Sequence, residues 1–304
     1  MKRTIWLPLA ACLALMATAC GESLEAKDSS GAAAQRSLTV GSANFPENAL
    51  LAEIYAGALK AKGLDVSTKL NVGSRETLIP TMEKGQITVL PEYTGGLLFY
   101  VSKGQPGAND TAGQVAELKS KLPSELTLLK PSQAQDQNTV TCTREVVDKY
   151  HLHTLEDLAK ISRNLTAGGP PELAKRTGFG SLKGLKRVYG IEYKAFRALD
   201  VAGPLTVSAL KSGKVDCANL FSTQSAIAAN GFVSLSDPKG FAQSEAVVPL
   251  VGKAAATPTV TAVLDAVSAK LTTENLKLLV KRVEVDKDDA ATVADDFLDE
   301  QGLK

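Results

Sequence analysis

The feature that most constrains the fold is an alternation of short β-branched segments with helical segments. It predicts, in order, a strand over 38–41, a helix from 44 or 46 to 63, a strand over 66–72, a helix over 75–84 and a strand over 87–90. Strands that alternate with helices favour a parallel α/β sheet covered by helices. The chain is therefore predicted to be an α/β protein.

Two distant segments share a repeated sequence pattern, which we call the internal echo. In Met82–Thr94 and in Leu210–Ser222, a helix meets a glycine, a strand follows, and an aromatic–hydroxyl pair begins eight positions after the glycine. The aromatics are Tyr93 and Phe221. Because ligands bind at the carboxyl ends of strands in open α/β sheets, the echo predicts two related lobes that face one cleft. Alternatively, the two units are unrelated and their aromatics are core residues.

The middle of the chain has its own α/β series, and the end of the chain is mostly helical. We predict strands over 139–143, 165–167 and 215–220, and helices over 154–161 and 205–210. Residues 257–303 form helices with apolar faces that return to the first lobe. The predicted division is lobe 1 over 38–135 plus 222–304, with lobe 2, 136–221, inserted through two hinge strands.

The amino terminus is typical of an export signal. A basic start is followed by an apolar run over 5–19, which is too short to span a bilayer comfortably, and then by Cys20. Residues 1–20 are therefore predicted to be a lipoprotein signal peptide with an acylated Cys20, and 21–37 a polar tether. The alternative is an ordinary secreted protein that is cleaved nearby. Either prediction places the protein outside the cytoplasm, and the first anchors it to the outer face of the cell membrane.

Two further cysteines, Cys142 and Cys217, lie in the globular part. A single pair in an exported protein is compatible with a disulfide or with two buried free thiols. Their spacing leaves both alternatives open.

Composition excludes several classes of function. A net charge of +1 provides no basic field for nucleic acid, and two histidines give little scope for a metal site. The sequence contains no GxSxG elbow, no P-loop and no complete GxGxxG. We expect neither an enzyme nor a cofactor.

Three motifs resemble a known family. The segments VGSANFPE from Val40, PEYTGG from Pro91 and ALKSGKVD from Ala209 with LFST after it are similar to the glycine betaine/carnitine/choline-binding proteins of ABC osmoprotectant importers. The resemblance covers 38–303 and implies a type II periplasmic-binding-protein clamp with a hinge. It also implies a small-molecule solute, ABC permease subunits as partners and a monomeric receptor.

The resemblance also implies ligand-binding residues. In this family a trimethylammonium group is held by aromatic faces, and a carboxylate is held by basic side chains. Positions that match the motifs, or that flank the predicted cleft, are Asn44, Phe45, Tyr93, Thr94, Asp136, Asn138, Arg176 and Phe221. Tyr55 and Phe99 lie on helical faces and are predicted to be core residues.

Several positions depart from the family pattern. Ala43 replaces a basic residue, Gly96 a threonine and Asn138 a cage tyrosine, while Leu173, Phe221 and Gln224 replace a phenylalanine, a tyrosine and an aspartate. These changes leave a weak cation cage and would suit a bulkier or uncharged solute, such as a sugar-like or phenolic compound. An extracellular sensor lipoprotein that kept the clamp without import is a further alternative.

Overall fold

The structure is a computed structural model that describes residues 37–176, 181–243 and 245–304. The predicted signal peptide, most of the tether and Cys20 lie outside these residues. Within the described ranges, no helix combines the length and the apolar character needed to cross a membrane.

In the described part of the chain, ten strands form two five-stranded sheets. The strands are β1 (Leu38–Ala43), β2 (Val66–Gly73), β3 (Val89–Tyr93), β4 (Leu126–Leu128), β5 (Asn138–Cys142), β6 (Thr166–Gly169), β7 (Ala195–Ala198), β8 (Cys217–Phe221), β9 (Val233–Ser234) and β10 (Val247–Gly252). The first sheet has the order β2-β1-β3-β10-β4, and the second has the order β7-β6-β8-β5-β9.

Helices cover both sheets. They are α1 (Pro46–Ala61), α2 (Arg75–Glu83), α3 (Thr94–Val101), α4 (Thr111–Lys121), α5 (Arg144–Tyr150), α6 (Leu155–Ile161), α7 (Glu172–Lys175), α8 (Leu182–Tyr189), α9 (Pro204–Lys211), α10 (Ser225–Ala229), α11 (Pro258–Lys270), α12 (Thr273–Lys281) and α13 (Ala290–Glu300). A capping box starts α6, since the Thr154 and Asp157 side chains each accept a hydrogen bond from the other residue's backbone N–H.

The prediction of a parallel sheet is wrong for part of each sheet. β1 pairs in parallel with β2 and β3, but β10 runs antiparallel to β3 and β4. In the second sheet, β5 runs antiparallel to β8. A helical crossover forces neighbouring strands to be parallel, whereas β5 and β10 each enter from the other sheet and escape that constraint.

Helix α1 forms the centre of the first core. Its Pro46 suits the first turn because proline needs no N–H partner there. Leu50, Leu51 and Ile54 are fully buried, and they share one apolar cluster with Phe297 of α13. Tyr55 belongs to the same cluster, as predicted.

The two sheets are joined next to the cavity by hydrogen-bonded segments. Asp136 donates its backbone N–H to Glu245 O, and Ser222 donates its backbone N–H to Gln137 O. After residue 221 the chain contacts both halves, because α10 packs against α12 and β9 then pairs with β5. The second sheet therefore extends beyond the predicted boundary at 221, and the division into 38–135 plus 222–304 and 136–221 stays a prediction.

A disulfide joins Cys142 to Cys217, so the two cysteines are bonded to each other and are not buried free thiols. The two cysteines face each other in the β5–β8 register, and both are fully buried. The bond ties the two strands at the end opposite to Asn138 and Phe221.

Removal of this disulfide is expected to destabilise the folded protein by about 2–4 kcal/mol, because the bond closes a long loop in the unfolded chain. The test is urea unfolding of residues 38–304, followed by far-UV circular dichroism, for the protein and for a Cys142→Ala/Cys217→Ala variant. A reductant is expected to shift the midpoint of the parent and to leave that of the variant unchanged. Equal stability of the two proteins would contradict the prediction.

Candidate functional site

A cavity of about 310 Å³ lies where the two sheets face each other. It is bounded by the residues after β1, by the end of β3, and by the adjoining ends of β5 and β8. These are the positions at which the sequence predicts a ligand cleft.

The loop between β1 and α1 brings Phe45 to this cavity. Asn48, in the first turn of α1, fixes the loop because its Oδ1 accepts a hydrogen bond from Ala43 N at 2.6 Å. Its Nδ2 donates to Pro91 O at 2.9 Å, which ties the loop to β3. Phe45, with extended backbone angles, is thereby held beside the end of β3.

Three aromatic rings meet in the cavity. The ring centroids of Phe45 and Phe221 are 5.0 Å apart, and those of Phe45 and Tyr93 are 6.1 Å apart. Tyr93 ends β3 and Phe221 ends β8, so the internal echo does place an aromatic at the carboxyl end of a strand in each sheet. We call Phe45, Tyr93 and Phe221 the aromatic cluster.

Helix α3 supplies a second wall of the cavity. Gly96, Phe99 and Tyr100 of this helix line the cavity at helical spacing, and Lys103 lines it from the turn that follows. The prediction that Phe99 is a core residue is therefore wrong, because Leu97 and Leu98 occupy the core face of this helix. This cavity-lining face could be found in the sequence, because it is the face of the helix that remains once Leu97 and Leu98 are assigned to the core.

A buried acidic cluster lies behind the aromatic rings. Glu47 and Asp136 are 2% and 3% exposed. The Tyr93 hydroxyl donates to Glu47 Oε1 at 2.7 Å, and the Thr223 hydroxyl lies 2.5 Å from Glu47 Oε2 and 3.1 Å from Asp136 Oδ1. Since Thr223 has a single hydroxyl hydrogen, one of the two carboxyl groups has to carry a proton for both contacts to be hydrogen bonds.

Burial favours the protonated form of these carboxyl groups. Desolvation raises the pKa of Glu47 to about 7, although hydrogen bonds from Thr223 and Tyr93 oppose the shift and Glu284 adds to it. Desolvation and the charge of Glu47 likewise raise the pKa of Asp136 well above its usual range. Burial also raises the pKa of Glu284 to about 7.

Arg176 lines the cavity, where it is paired with an acid from the other half of the molecule. Its Nε and Nη2 donate to the two carboxylate oxygens of Glu76 at 2.9 and 3.1 Å. Burial disfavours the charge of Glu76, but bonds from Arg176 and Ser74 outweigh it and lower the pKa of Glu76 to about 2. The pair bridges α2, beside the first sheet, and the end of α7, beside the second.

A polar wall that sequence reasoning missed completes the cavity. Arg75 forms a fork on Glu92, with Nε to Oε1 at 2.9 Å and Nη2 to Oε2 at 2.7 Å. Glu245 accepts from Gly96 N at 3.0 Å and from Asn138 Nδ2 at 3.3 Å. Arg75 and Glu245 belong to none of the three motifs. Glu92 is part of the PEYTGG motif, but it is distant in sequence from Glu245 and approaches it only through the β3–β10 pairing.

The structure brings most of the predicted residues together. Asn44, Phe45, Tyr93, Asp136, Asn138, Arg176 and Phe221 all line the cavity. Thr94 is buried and is not among the residues that line the cavity. Its hydroxyl donates to Gln114 and accepts from Ala246 N, so it caps buried contacts behind the cavity wall.

Comparisons with known proteins agree with this geometry. Residues 36–300 match the family model described as the substrate-binding domain of ABC-type glycine betaine transport systems. The chain belongs to this family. Its members are solute-binding proteins and not enzymes. The glycine betaine-binding protein YehZ of Escherichia coli K12 is 30% identical over 277 residues, which cover 86% of this chain and 90% of that protein.

Another relative carries a different solute in its name. The ergothioneine transport permease/ergothioneine-binding protein EgtU of Helicobacter pylori is 25% identical, over 88% of this chain and 48% of that longer protein. Among solved structures, a glycine betaine/carnitine/choline ABC transporter protein matches with a TM-score of 0.67 and 21% identity, over 88% of this chain and 99% of that one. Lactococcal OpuAC in complex with glycine betaine matches with a TM-score of 0.62 and 18% identity, over 88% and 97%. The fold is the two-lobed type II periplasmic-binding-protein fold, as the sequence predicts.

The raised carboxyl pKa values predict a pH dependence of stability. Because Glu47 holds a proton to about pH 7 in the folded protein but only to about 4.5 when unfolded, its contribution is present below pH 4.5 and lost as the pH rises to 7. The free energy of unfolding is therefore expected to fall between pH 5 and 8. Glu47→Gln, which mimics the protonated carboxyl group, is expected to remove about 2–3 kcal/mol of this fall.

Urea unfolding followed by circular dichroism, repeated across this pH range, measures the effect. Glu83→Gln, at an exposed position at the end of α2, is the control and is expected to keep the parent slope. A Glu47→Gln variant with the parent slope would show that Glu47 does not hold the proton.

Proposed function

We propose that the protein is an extracytoplasmic solute-binding lipoprotein of an ABC importer that binds glycine betaine/choline-type quaternary amines between two lobes. The observation that carries the proposal is the aromatic cluster, in which Phe45, Tyr93 and Phe221 come from both sheets to one cavity. The family membership supports the transport role, and the glycine betaine-binding relative supports the solute class.

The aromatic cluster suits this solute for an electrostatic reason. A trimethylammonium group is charged but has no N–H to donate, so it is recognised by the negative faces of aromatic rings, each contributing about 0.5–2 kcal/mol. Phe45 adds a third ring to the two that the motif comparison retained.

Binding between lobes supplies the transport signal. Ligand that contacts Phe45 in one half and Phe221 in the other favours the closed arrangement, which the importer's permease subunits recognise. The Arg176–Glu76 fork adds a contact between the same halves. We assign β9 to the second lobe in addition to 136–221, on the basis of its pairing with β5.

Calorimetry of residues 38–304 with glycine betaine, choline, carnitine and proline betaine tests the solute class. At least one quaternary amine is expected to bind with micromolar affinity, which corresponds to about −8 kcal/mol. Phe45→Ala and Phe221→Ala are each expected to weaken binding by about two- to thirty-fold, because each removes one cation–π contact.

Tyr93→Phe is the matched control for these variants. It keeps the ring but removes the hydroxyl that donates to Glu47, so it is expected to retain affinity for the ammonium group while changing the pH dependence. Heat from a sugar or phenolic compound, with none from any quaternary amine, would show that the clamp serves another solute.

Anchoring through Cys20 is a separate prediction. Cells that express the full chain are expected to incorporate labelled palmitate into it and to retain it in the membrane fraction, because acyl chains add about 0.8 kcal/mol per buried methylene. Cys20→Ser is expected to abolish the label. Labelling that survives Cys20→Ser would place the attachment elsewhere, and an unlabelled soluble parent protein would favour ordinary secretion.

A further inference from the structure

Gly96 makes room for two charged groups beside the cavity. A β-carbon at this position would lie 2.9 Å from Nη2 of Arg75 and 3.0 Å from Oε2 of Glu245, both closer than ordinary contact distances. Arg75 is not free to move aside, because its fork on Glu92 fixes it. The position where the family motif has threonine is therefore a glycine whose absent side chain admits Glu245.

Glu245 has acceptor capacity that the protein does not use. The carboxylate has about four lone-pair sites, and the described residues occupy two of them, from Gly96 N and from Asn138 Nδ2. It is 5% exposed, yet within the described ranges it forms no ion pair, since Arg75 is paired with Glu92 instead. A buried carboxylate without a counter-ion favours a cationic or hydrogen-bond-donating partner.

The charges around Glu245 favour a cationic partner. Burial raises its pKa to about 7, the charge of Arg75 opposes this shift, and the charges of Asp136 and Glu92 add to it. The two arginines that line the cavity are already paired with carboxylates. Arg75 is paired with Glu92, and Arg176 is paired with Glu76. A solute carboxylate would have to compete with these acids for either guanidinium.

Glu245 is close to the aromatic cluster. It accepts from Asn138, which lies directly opposite Phe221 in the β5–β8 register, so the two side chains start about 5 Å apart. A short solute can therefore place an ammonium group on the rings and a second polar group on Glu245.

We propose, building on the proposed function, that Glu245 is a specificity-determining residue that accepts a hydrogen bond from an O–H or N–H of a cationic solute. The cleft then prefers a quaternary amino alcohol, which has such a donor, to glycine betaine, which has none. Gly96 is the positioning residue that allows Glu245 to reach the cavity.

Three probes that share a trimethylammonium group separate these features. Choline has the donor, its methyl ether lacks only the donor hydrogen, and glycine betaine replaces the alcohol with a carboxylate. Calorimetry of residues 38–304 is expected to show that choline binds at least about tenfold more tightly than its methyl ether. This difference in affinity is typical of the loss of one hydrogen bond to a charged group. Glycine betaine is expected to bind more weakly than choline.

Two variants and one control test whether Glu245 and Gly96 determine the preference for choline. Glu245→Gln is expected to bring choline down to the affinity of the methyl ether, and Glu83→Gln, with the same charge change at an exposed site outside the cavity, is expected to change neither. Gly96→Thr is expected to reduce the choline preference without changing Glu245 itself. A proton released when choline binds near pH 7, measured in two buffers of different ionisation enthalpy, is expected in the parent and absent in Glu245→Gln.

The outcomes are distinguishable. Equal affinity for choline and its methyl ether, or tighter binding of glycine betaine, would overturn the role of Glu245 and leave the proposed function standing. A choline preference that survives in Glu245→Gln would also overturn it. Failure of all three probes to bind, while carnitine or proline betaine binds, would overturn this inference alone. Failure of every quaternary amine to bind would overturn the proposed function and this inference together.

Discussion

The structure depends on a single hydroxyl group held between two buried acids. Thr223 lies on the segment that follows β8, Asp136 on the segment that enters β5, and Glu47 on the first turn of α1. The contact between them therefore holds both chain segments that connect the two sheets against α1, the central helix of the first core. Because the same Glu47 accepts a hydrogen bond from the Tyr93 hydroxyl, these acids also hold one ring of the aromatic cluster.

Most of the fold was predictable because it rests on local patterns. The positions of β1, α1, β2 and α2 follow from apolar periodicity and from proline and glycine at helix ends, and the structure confirms them within a few residues. Strand direction was not predictable from such patterns. Whether β5 and β10 run parallel or antiparallel depends on which sheet the chain comes from, and that information is not local.

The candidate site divides in the same way. Tyr93 and Phe221 were predictable because each ends a strand in a repeated helix–glycine–strand pattern, and Phe45 because it follows β1. Thr94 does not line the cavity, and a motif does not reveal that its hydroxyl turns to Gln114 instead. Glu245 and Arg75 were missed because the first belongs to no motif and the contacts of both are tertiary.

The disulfide between Cys142 and Cys217 has a consequence for the biosynthesis of an exported chain. Thiols remain reduced in the cytoplasm, so the bond that ties β5 to β8 forms only after translocation. The newly made chain therefore has a less stable second sheet on the side of the membrane where it is synthesised than on the side where it works. A chain that completes that sheet slowly stays longer in the unfolded form that export requires. Once the chain has crossed the membrane, formation of the disulfide stabilises the folded form against unfolding.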